Sequence, residues 1–182
     1  RLHHQGQRIL LAEDNPVNQE VAVALLEGTG LAAESVEAEM VIKEGKERMV
    51  LTMALLAEDG SKAGLISRHF LRNEAGQLEV YHDTFRLNDS VQGHGLARLV
   101  QKNSFQLYDQ LGVSKVRLSA ASAVGGYAWA RYGWELTPRG MTELRKQIPQ
   151  DSGVVGQLLQ SGDPKLVWAL ADMQAGKDLL LG

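Results

Sequence analysis

Residues 88–100, NDSVQGHGLARLV, place a glycine on each side of a histidine and follow them at once with an apolar, helix-like run. Successive amides at a helix start carry partial positive charge, and glycines let a ligand approach the backbone closely. The pattern is therefore suited to an anion such as a pyrophosphate. A turn that merely starts a helix uses the same residue types, so the six residues QGHGLA need a context. Charge supplies part of it. Between Arg86 and Lys146, nine basic residues stand against four acids, leaving that segment at +5 and the remainder at −8 within a net charge of −3. A basic segment around the loop favours an anionic ligand, while lysines and arginines on solvated helix faces are the alternative. Downstream, AVGGYAWARYGW gathers Tyr127, Trp129 and Tyr132 around little more than one turn. Gly125 and Gly126 at that helix start cost roughly 1 kcal/mol each against alanine. Such a cost points to close backbone packing or to a ligand touching the helix, and core packing explains the aromatics as well as a substrate pocket does.

The elements that must position these residues are bounded by composition. The 182 residues, 44% hydrophobic and 23% charged, suit one sizeable core or one domain with an appendage. The small net charge argues against bulk nucleic-acid binding. The absence of a long apolar run argues against a membrane span. Cysteine is absent, which excludes disulfides, thiolate metal sites and a cysteine nucleophile. With no signal-peptide cleavage pattern at the start, the expectation is a cytoplasmic protein.

Along the chain, residues 8–14 (RILLAED) read as a buried parallel strand, and residues 18–26 as a helix with Asn15 as cap and Pro16 in its first turn. Residues 32–37 read as a second strand, and residues 40–56 are richer in helix formers than in strand formers. Residues 64–71 and 78–87 form a hairpin around NEAG. Strict alternation would put Leu78, Val80, His82, Thr84 and Arg86 on one face of the second hairpin strand, and Glu79, Tyr81, Asp83, Phe85 and Leu87 on the other. Residues 96–111 read as a helix with Leu96, Leu99, Val100, Asn103, Leu107 and Leu111 near one stripe. Residues 113–120 follow as a strand, 124–132 as a short aromatic helix and 134–136 as a final strand. Beyond Pro138, residues 142–147, 153–160 and 164–175 look helical.

Two family resemblances follow. RILLAEDNPVNQEVAVALLEGTGL resembles the first strand and helix of the receiver domains of hybrid histidine kinases. That likeness implies that Glu13 and Asp14 help hold magnesium, an ion that needs oxygen ligands. The rest of a receiver is absent, including a phosphoacceptor motif and the later hydroxyl and lysine. No metal site is therefore assigned, and the segment reads as a receiver-like βα unit.

The second resemblance covers residues 64–136, whose order of strand, hairpin, strand, glycine loop, helix, strand, short helix and Gly-aromatic pair looks like the GNAT acetyltransferase superfamily. Gln92-Gly93-His94-Gly95-Leu96-Ala97 matches that family's Arg/Gln-x-x-Gly-x-Gly/Ala pattern. The implied fold class is α/β (α+β): a GNAT-like mixed central sheet flanked by helices. A receiver-like segment at 1–60 would precede the core at 61–137, and a helical tail would occupy 138–182.

The implied activity is direct transfer from acetyl-CoA to a small-molecule or protein amine. The amides of Gly93, His94, Gly95, Leu96 and Ala97 would hold the cofactor's pyrophosphate, with Gln92 shaping the loop and Leu87, Asn88 and Val91 lining the path of its arm. His82 or Asp83 would act as base, His82 favoured because its unperturbed pKa lies near neutrality. The family's usual acid, a tyrosine, is replaced by Trp129, so Tyr132 is the substitute candidate. The contrasting readings are a degenerate receiver acting in signalling, and a GNAT-fold binding protein or effector without catalysis.

Overall fold

Alternating burial, and not helix propensity, organises the first two-thirds of the chain. The computed structural model describes residues 7–11, 16–43, 46–120, 125–147 and 153–181. It divides into two compact units, Arg1–Ser119 and Ala120–Gly182. In chain order the first contains β1 (Gln7–Leu11), α1 (Pro16–Leu26), β2 (Ala32–Lys43), β3 (Lys46–Leu56), β4 (Lys62–Arg72), β5 (Leu78–Leu87), α2 (Leu96–Gln110) and β6 (Lys115–Leu118). The six strands lie side by side in sequence order. All neighbours are antiparallel except β5 and β6, which run parallel with α2 as their crossover. This is the mixed sheet with flanking helices expected from the sequence.

One sheet face is apolar. Leu51, Met53 and Leu55 of β3, Ile66 and Phe70 of β4 and Val80 of β5 are buried together with Ala22, Leu25 and Leu26 of α1 and Val100, Leu107 and Tyr108 of α2. The two helices are tied by Asn103, whose Nδ2 donates to the carbonyls of Leu25 and Glu27 at 3.2 and 2.9 Å. Those carbonyls at the end of α1 would otherwise lack partners. The buried stripe of α2 includes Val100, Asn103 and Leu107 as expected, but it turns toward Gln101, Ser104 and Tyr108 and leaves Leu111 exposed.

Several expectations are corrected. Residues 40–43 form the end of β2 and residues 46–56 form β3, because alternate side chains reach the core and tertiary burial overrides the helical preference of Met, Leu and Ala. The opening strand is not parallel. Gln7 lies opposite Ile42 and Leu11 opposite Ala38, so β1 and β2 are antiparallel and lack the parallel βαβ arrangement of a receiver. Glu13 and Asp14 lie outside the described residues.

The second unit is helical: α3 (Gly125–Arg131), α4 (Pro138–Lys146), α5 (Gly153–Ser161), α6 (Leu166–Ala171) and α7 (Gln174–Leu181). No strand forms over 134–136. Leu136 N donates to Pro164 O at 3.0 Å, and Trp168 Nε1 donates to Trp134 O at 2.8 Å, so that backbone is used by the tail. The helix expected over 164–175 breaks between α6 and α7, and Gly176 in the first turn of α7 passes Leu170 O so closely that a Cβ would sit 2.2 Å from it.

Strict alternation also fails at one point in β5. Arg68 pairs with His82 but Ser67 pairs with Thr84, so Asp83 is an extra residue in a β-bulge. Beyond it the faces exchange: Phe85 joins the apolar face and Thr84 the opposite one. The side chain of Arg68, 1% exposed, spans the bulge. Its Nη1 donates to Ser67 O at 2.9 Å and to Thr84 O at 2.8 Å, and its guanidinium lies 5.8 Å from the centre of the Phe85 ring. Truncation would leave two strand carbonyls without this donor and open a cavity. Arg68→Ala should thus cost on the order of 3–5 kcal/mol in denaturant unfolding. A loss below about 1 kcal/mol, the scale of a surface substitution, would show that the bulge stands without it.

Candidate functional site

The glycine loop grows out of the bulged strand. After Leu87, the Asn88 amide nitrogen donates to Ala63 O at 2.8 Å and its side chain to Lys62 O at 2.7 Å, pinning the chain to the start of β4. A short 3-10 turn, Asp89–Val91, reverses it. Gln92 Nε2 donates to Leu87 O at 2.8 Å and to Asp89 Oδ1 at 3.1 Å, closing the loop across its base. Leu87 and Val91 are part-buried against the core. Gly93 has φ +82° and Gly95 has φ +75° in the left-handed region, and Gly95 is the N-cap of α2. A non-glycine residue strains there.

From Gly93 through Ala97, the amides donate to no protein acceptor among the described residues. Those at the first turn are the donors a helix always leaves over. Gln92 to Gly95 are exposed, and a Cβ at Gly93 or Gly95 would meet nothing within 4 Å. The loop is therefore an open cradle of donors at the positive end of a 15-residue helix, which fits a pyrophosphate. His94 is exposed beside it.

Beside the loop lies an open strand edge. β6 pairs with β5 only from Glu79 opposite Lys115 to His82 opposite Leu118. Among the described residues, no strand covers that side of Asp83 to Leu87. Those five residues of extended chain run about 16 Å, from the bulge to the glycine loop, beyond the last residue that β6 pairs. Such an edge can pair with an extended ligand carrying amides, in the manner of an added strand.

The candidate bases separate at the bulge. His82 is 3% exposed, on the helix-covered face, and its Nε2 is 2.9 Å from the Tyr108 hydroxyl. Burial, with the nearby Arg68 charge, lowers its pKa to about 2. A base that weak does not take a proton from an amine at neutral pH, so the geometry makes His82 a buried structural partner of Tyr108 and opposes the favoured base assignment. Burial pushes the Tyr108 hydroxyl up and Arg68 down, so the trio is a desolvated polar cluster within the core. Asp83 is exposed, its Oδ2 accepting from Thr84 Oγ1 at 3.1 Å.

Tyr132 lies in the second unit, 37% exposed, with its ring 6.1 Å from that of Trp129. The neighbouring aromatics are packing groups. Trp129 stacks edge-on with Trp134 at 5.8 Å, and Lys177 lies 5.3 Å from the centre of the Tyr127 ring. Gly126 is explained by α7, because a Cβ there would sit 2.8 Å from Leu180 O. Close backbone packing accounts for this glycine.

Sequence reasoning passed over His69. It sits on β4 on the sheet face opposite α1 and α2, half-buried, its ring 5.8 Å from Tyr81. Arg48, His69, Tyr81, Asp83, Glu79 and Arg117 line a shallow cleft of about 360 Å³ there. Burial lowers the His69 pKa, with Asp83 opposing and Arg48 reinforcing the shift. Its register with Tyr81 was readable from the hairpin, but the bulge that brings Asp83 alongside was not. The described residues include no group of three or more His, Asp and Glu able to hold a metal. They also include no helix long and apolar enough to cross a membrane.

No family model matches this chain, and no curated protein does. Solved structures do. A Trypanosoma brucei acetyltransferase aligns over 74% of this chain and 96% of its own, with 13% identity and a TM-score of 0.44. An aminoglycoside acetyltransferase from an uncultured soil metagenomic sample aligns over 70% and 85%, with 14% identity and a TM-score of 0.40. A second aminoglycoside acetyltransferase from such a sample aligns over 71% and 89%, with 15% identity and a TM-score of 0.41.

His82 supplies a test of the buried cluster. Its folded pKa lies below its unfolded value near 6.5, so the unfolded chain binds the extra proton first. Its stabilising neutrality is fully present above about pH 6.5 and is lost progressively as the pH falls toward the folded value, by up to roughly 1.4 kcal/mol per pH unit. Denaturant midpoints of the parent should fall more steeply between about pH 6 and pH 4 than those of His82→Gln. Equal slopes would mean that His82 titrates in the folded protein as it does in the unfolded chain.

Proposed function

We propose that this chain is an acyl-CoA-dependent N-acetyltransferase that joins an acetyl group from acetyl-CoA directly to an amine. The observation that carries the reading is the open cradle of amides from Gly93 to Ala97 at the start of α2, continuous with the stretch of β5 beyond its pairing with β6. A pyrophosphate-bearing ligand with an extended amide-containing arm satisfies both at once. Acetyl-CoA, when bound, supplies an acetyl group activated as a thioester.

The chain's own residues then have distinct work. Gln92 holds the loop shape through Leu87 O and Asp89, and the five amides can donate hydrogen bonds to the pyrophosphate oxygens. Leu87, Asn88 and Val91 border the path of the arm. Asp83 is placed by the bulge where the open edge begins, so its carboxylate can hold an acceptor ammonium beside the acyl group. Direct transfer requires donor and amine to be bound together, with the amine within attacking distance of the acyl carbon. The acceptor is a small-molecule or protein amine.

Calorimetric titration with acetyl-CoA tests this, run on the parent, Gly95→Asn and Gly95→Glu. Asparagine tolerates the left-handed conformation and adds no charge. The parent should bind, Gly95→Asn should retain measurable binding, and Gly95→Glu should lose about a hundredfold or more, since juxtaposed like charges cost several kcal/mol. A folded parent that binds no acetyl-CoA sinks the reading and leaves the glycines as a turn that starts a helix.

A further inference from the structure

The cleft on the sheet face opposite α1 and α2 has its own charge logic. Its Arg117 Nη2 is 3.0 Å from Glu79 Oε2, and Glu79 Oε1 accepts from Asn73 Nδ2 at 3.1 Å. That pair is satisfied within the protein. Arg48 and Asp83 are different. Each lines the same cleft, and among the described residues neither takes part in an ion pair. His69 stands under the influence of both charges. Neither of its ring nitrogens bonds a protein group among the described residues, its neighbour being the Tyr81 ring. Arg48 on β3 pairs with Leu71, two residues from His69 along β4, and His69 pairs with Tyr81 on β5, two residues before Asp83. The order across the cleft is thus cation, imidazole, carboxylate, over neighbouring strands spaced by about 4.8 Å.

We infer that this cleft is the acceptor site, that it takes a small zwitterionic amine of the amino-carboxylate class, and that His69 receives the amine's proton. The role of acceptor rests on the acetyltransfer reading above, whereas binding of the zwitterion does not. Asp83 faces the ligand ammonium and Arg48 its carboxylate, as a planar guanidinium suits a carboxylate fork. The ammonium gives one proton to His69, which passes it to water. The freed nitrogen lone pair forms the new bond to the acyl carbon as the carbon–sulfur bond breaks. The remaining excess proton on nitrogen ends on sulfur. Ammonium plus thioester therefore yields amide, thiol and one released proton. The lowered pKa of His69 keeps the ring neutral and able to accept at neutral pH. The groups facing it are Arg48 from β3, Glu79, Tyr81 and Asp83 from β5 and Arg117 from β6.

Three probes separate the requirements: glycylglycine carries both charges, glycinamide the ammonium alone, and N-acetylglycine the carboxylate alone. Binding is read first without acetyl-CoA, by chemical-shift changes of the His69 ring and the Tyr81 amide. Glycylglycine should bind about tenfold or more tightly than either single-charge probe. Arg48→Met should erase its advantage over glycinamide while leaving glycinamide unchanged, and Asp83→Asn should erase its advantage over N-acetylglycine. Equal binding of the three probes, or none at the cleft, overturns the inference whatever acetyl-CoA does. Thiol release with acetyl-CoA and glycylglycine is read second. His69→Gln should lower kcat about tenfold or more with KM held, and remove the acidic limb of the parent's pH profile. An unchanged profile in a variant that still binds acetyl-CoA overturns the role of His69 while leaving the acetyl-CoA site standing. Failure of the parent to bind acetyl-CoA at all removes the broader reading, and the binding arm then still decides whether the cleft recognises zwitterions.

Discussion

One inserted residue, Asp83, sets the geometry on which the rest depends. A bulge locally increases twist and bends its strand away from a neighbour, and here pairing with β6 ends at His82, the residue before it. The end of β6 pairing before Asp83, the exchange of sheet faces and the approach to the glycine loop all follow from that single irregularity. Its cost is carried by Arg68. A guanidinium buried to 1% exposure is expensive on desolvation alone. It persists because one nitrogen bonds a carbonyl on each of the two strands beside the bulge while the ring of Phe85 lies near the charge. Tyr108 and His82 complete the cluster at 2.9 Å from each other, and burial keeps both neutral.

This division explains why two adjacent residues on one strand differ so much. His82 points into the core and serves the cluster; Asp83 is expelled by the bulge and remains exposed. From the sequence the two were equivalent candidates, and a neutral-range imidazole was the more attractive. Environment reversed that order, since desolvation penalises the charged imidazole far more than a half-exposed site does. The imidazole in a suitable setting is His69, one strand over.

Much of the local geometry around the glycine loop was nonetheless legible. The run Gln92 to Ala97 has local requirements, positive φ at two glycines and a helix start, and these do not depend on distant contacts. The order of strand, hairpin, strand, loop, helix and strand was readable for the same reason, since turns and periodicity are local. Residues 40–56 were not, because Met, Leu and Ala satisfy either period and only pairing with β2 and β4 decides. The antiparallel placement of β1 likewise depends on a partner some thirty residues away in sequence, and the bulge on a register that no residue type announces.

The two ends of the open edge have opposite electrostatic character, and this gives the site a direction. At the glycine loop the donors are uncharged amides fixed by the backbone, which favour an anion without binding a particular side group. At the bulge the groups are side chains of both signs, Arg48 and Asp83, with Glu79 and Arg117 already paired. Backbone donors on a rigid loop suit a component that every turnover shares, whereas charged side chains on strands discriminate among partners, because the wrong charge leaves one of them desolvated and unmatched. A ligand stretched along the edge from Leu87 to Asp83 would thus present its reactive end where the protein can choose, and keep its invariant end where it cannot.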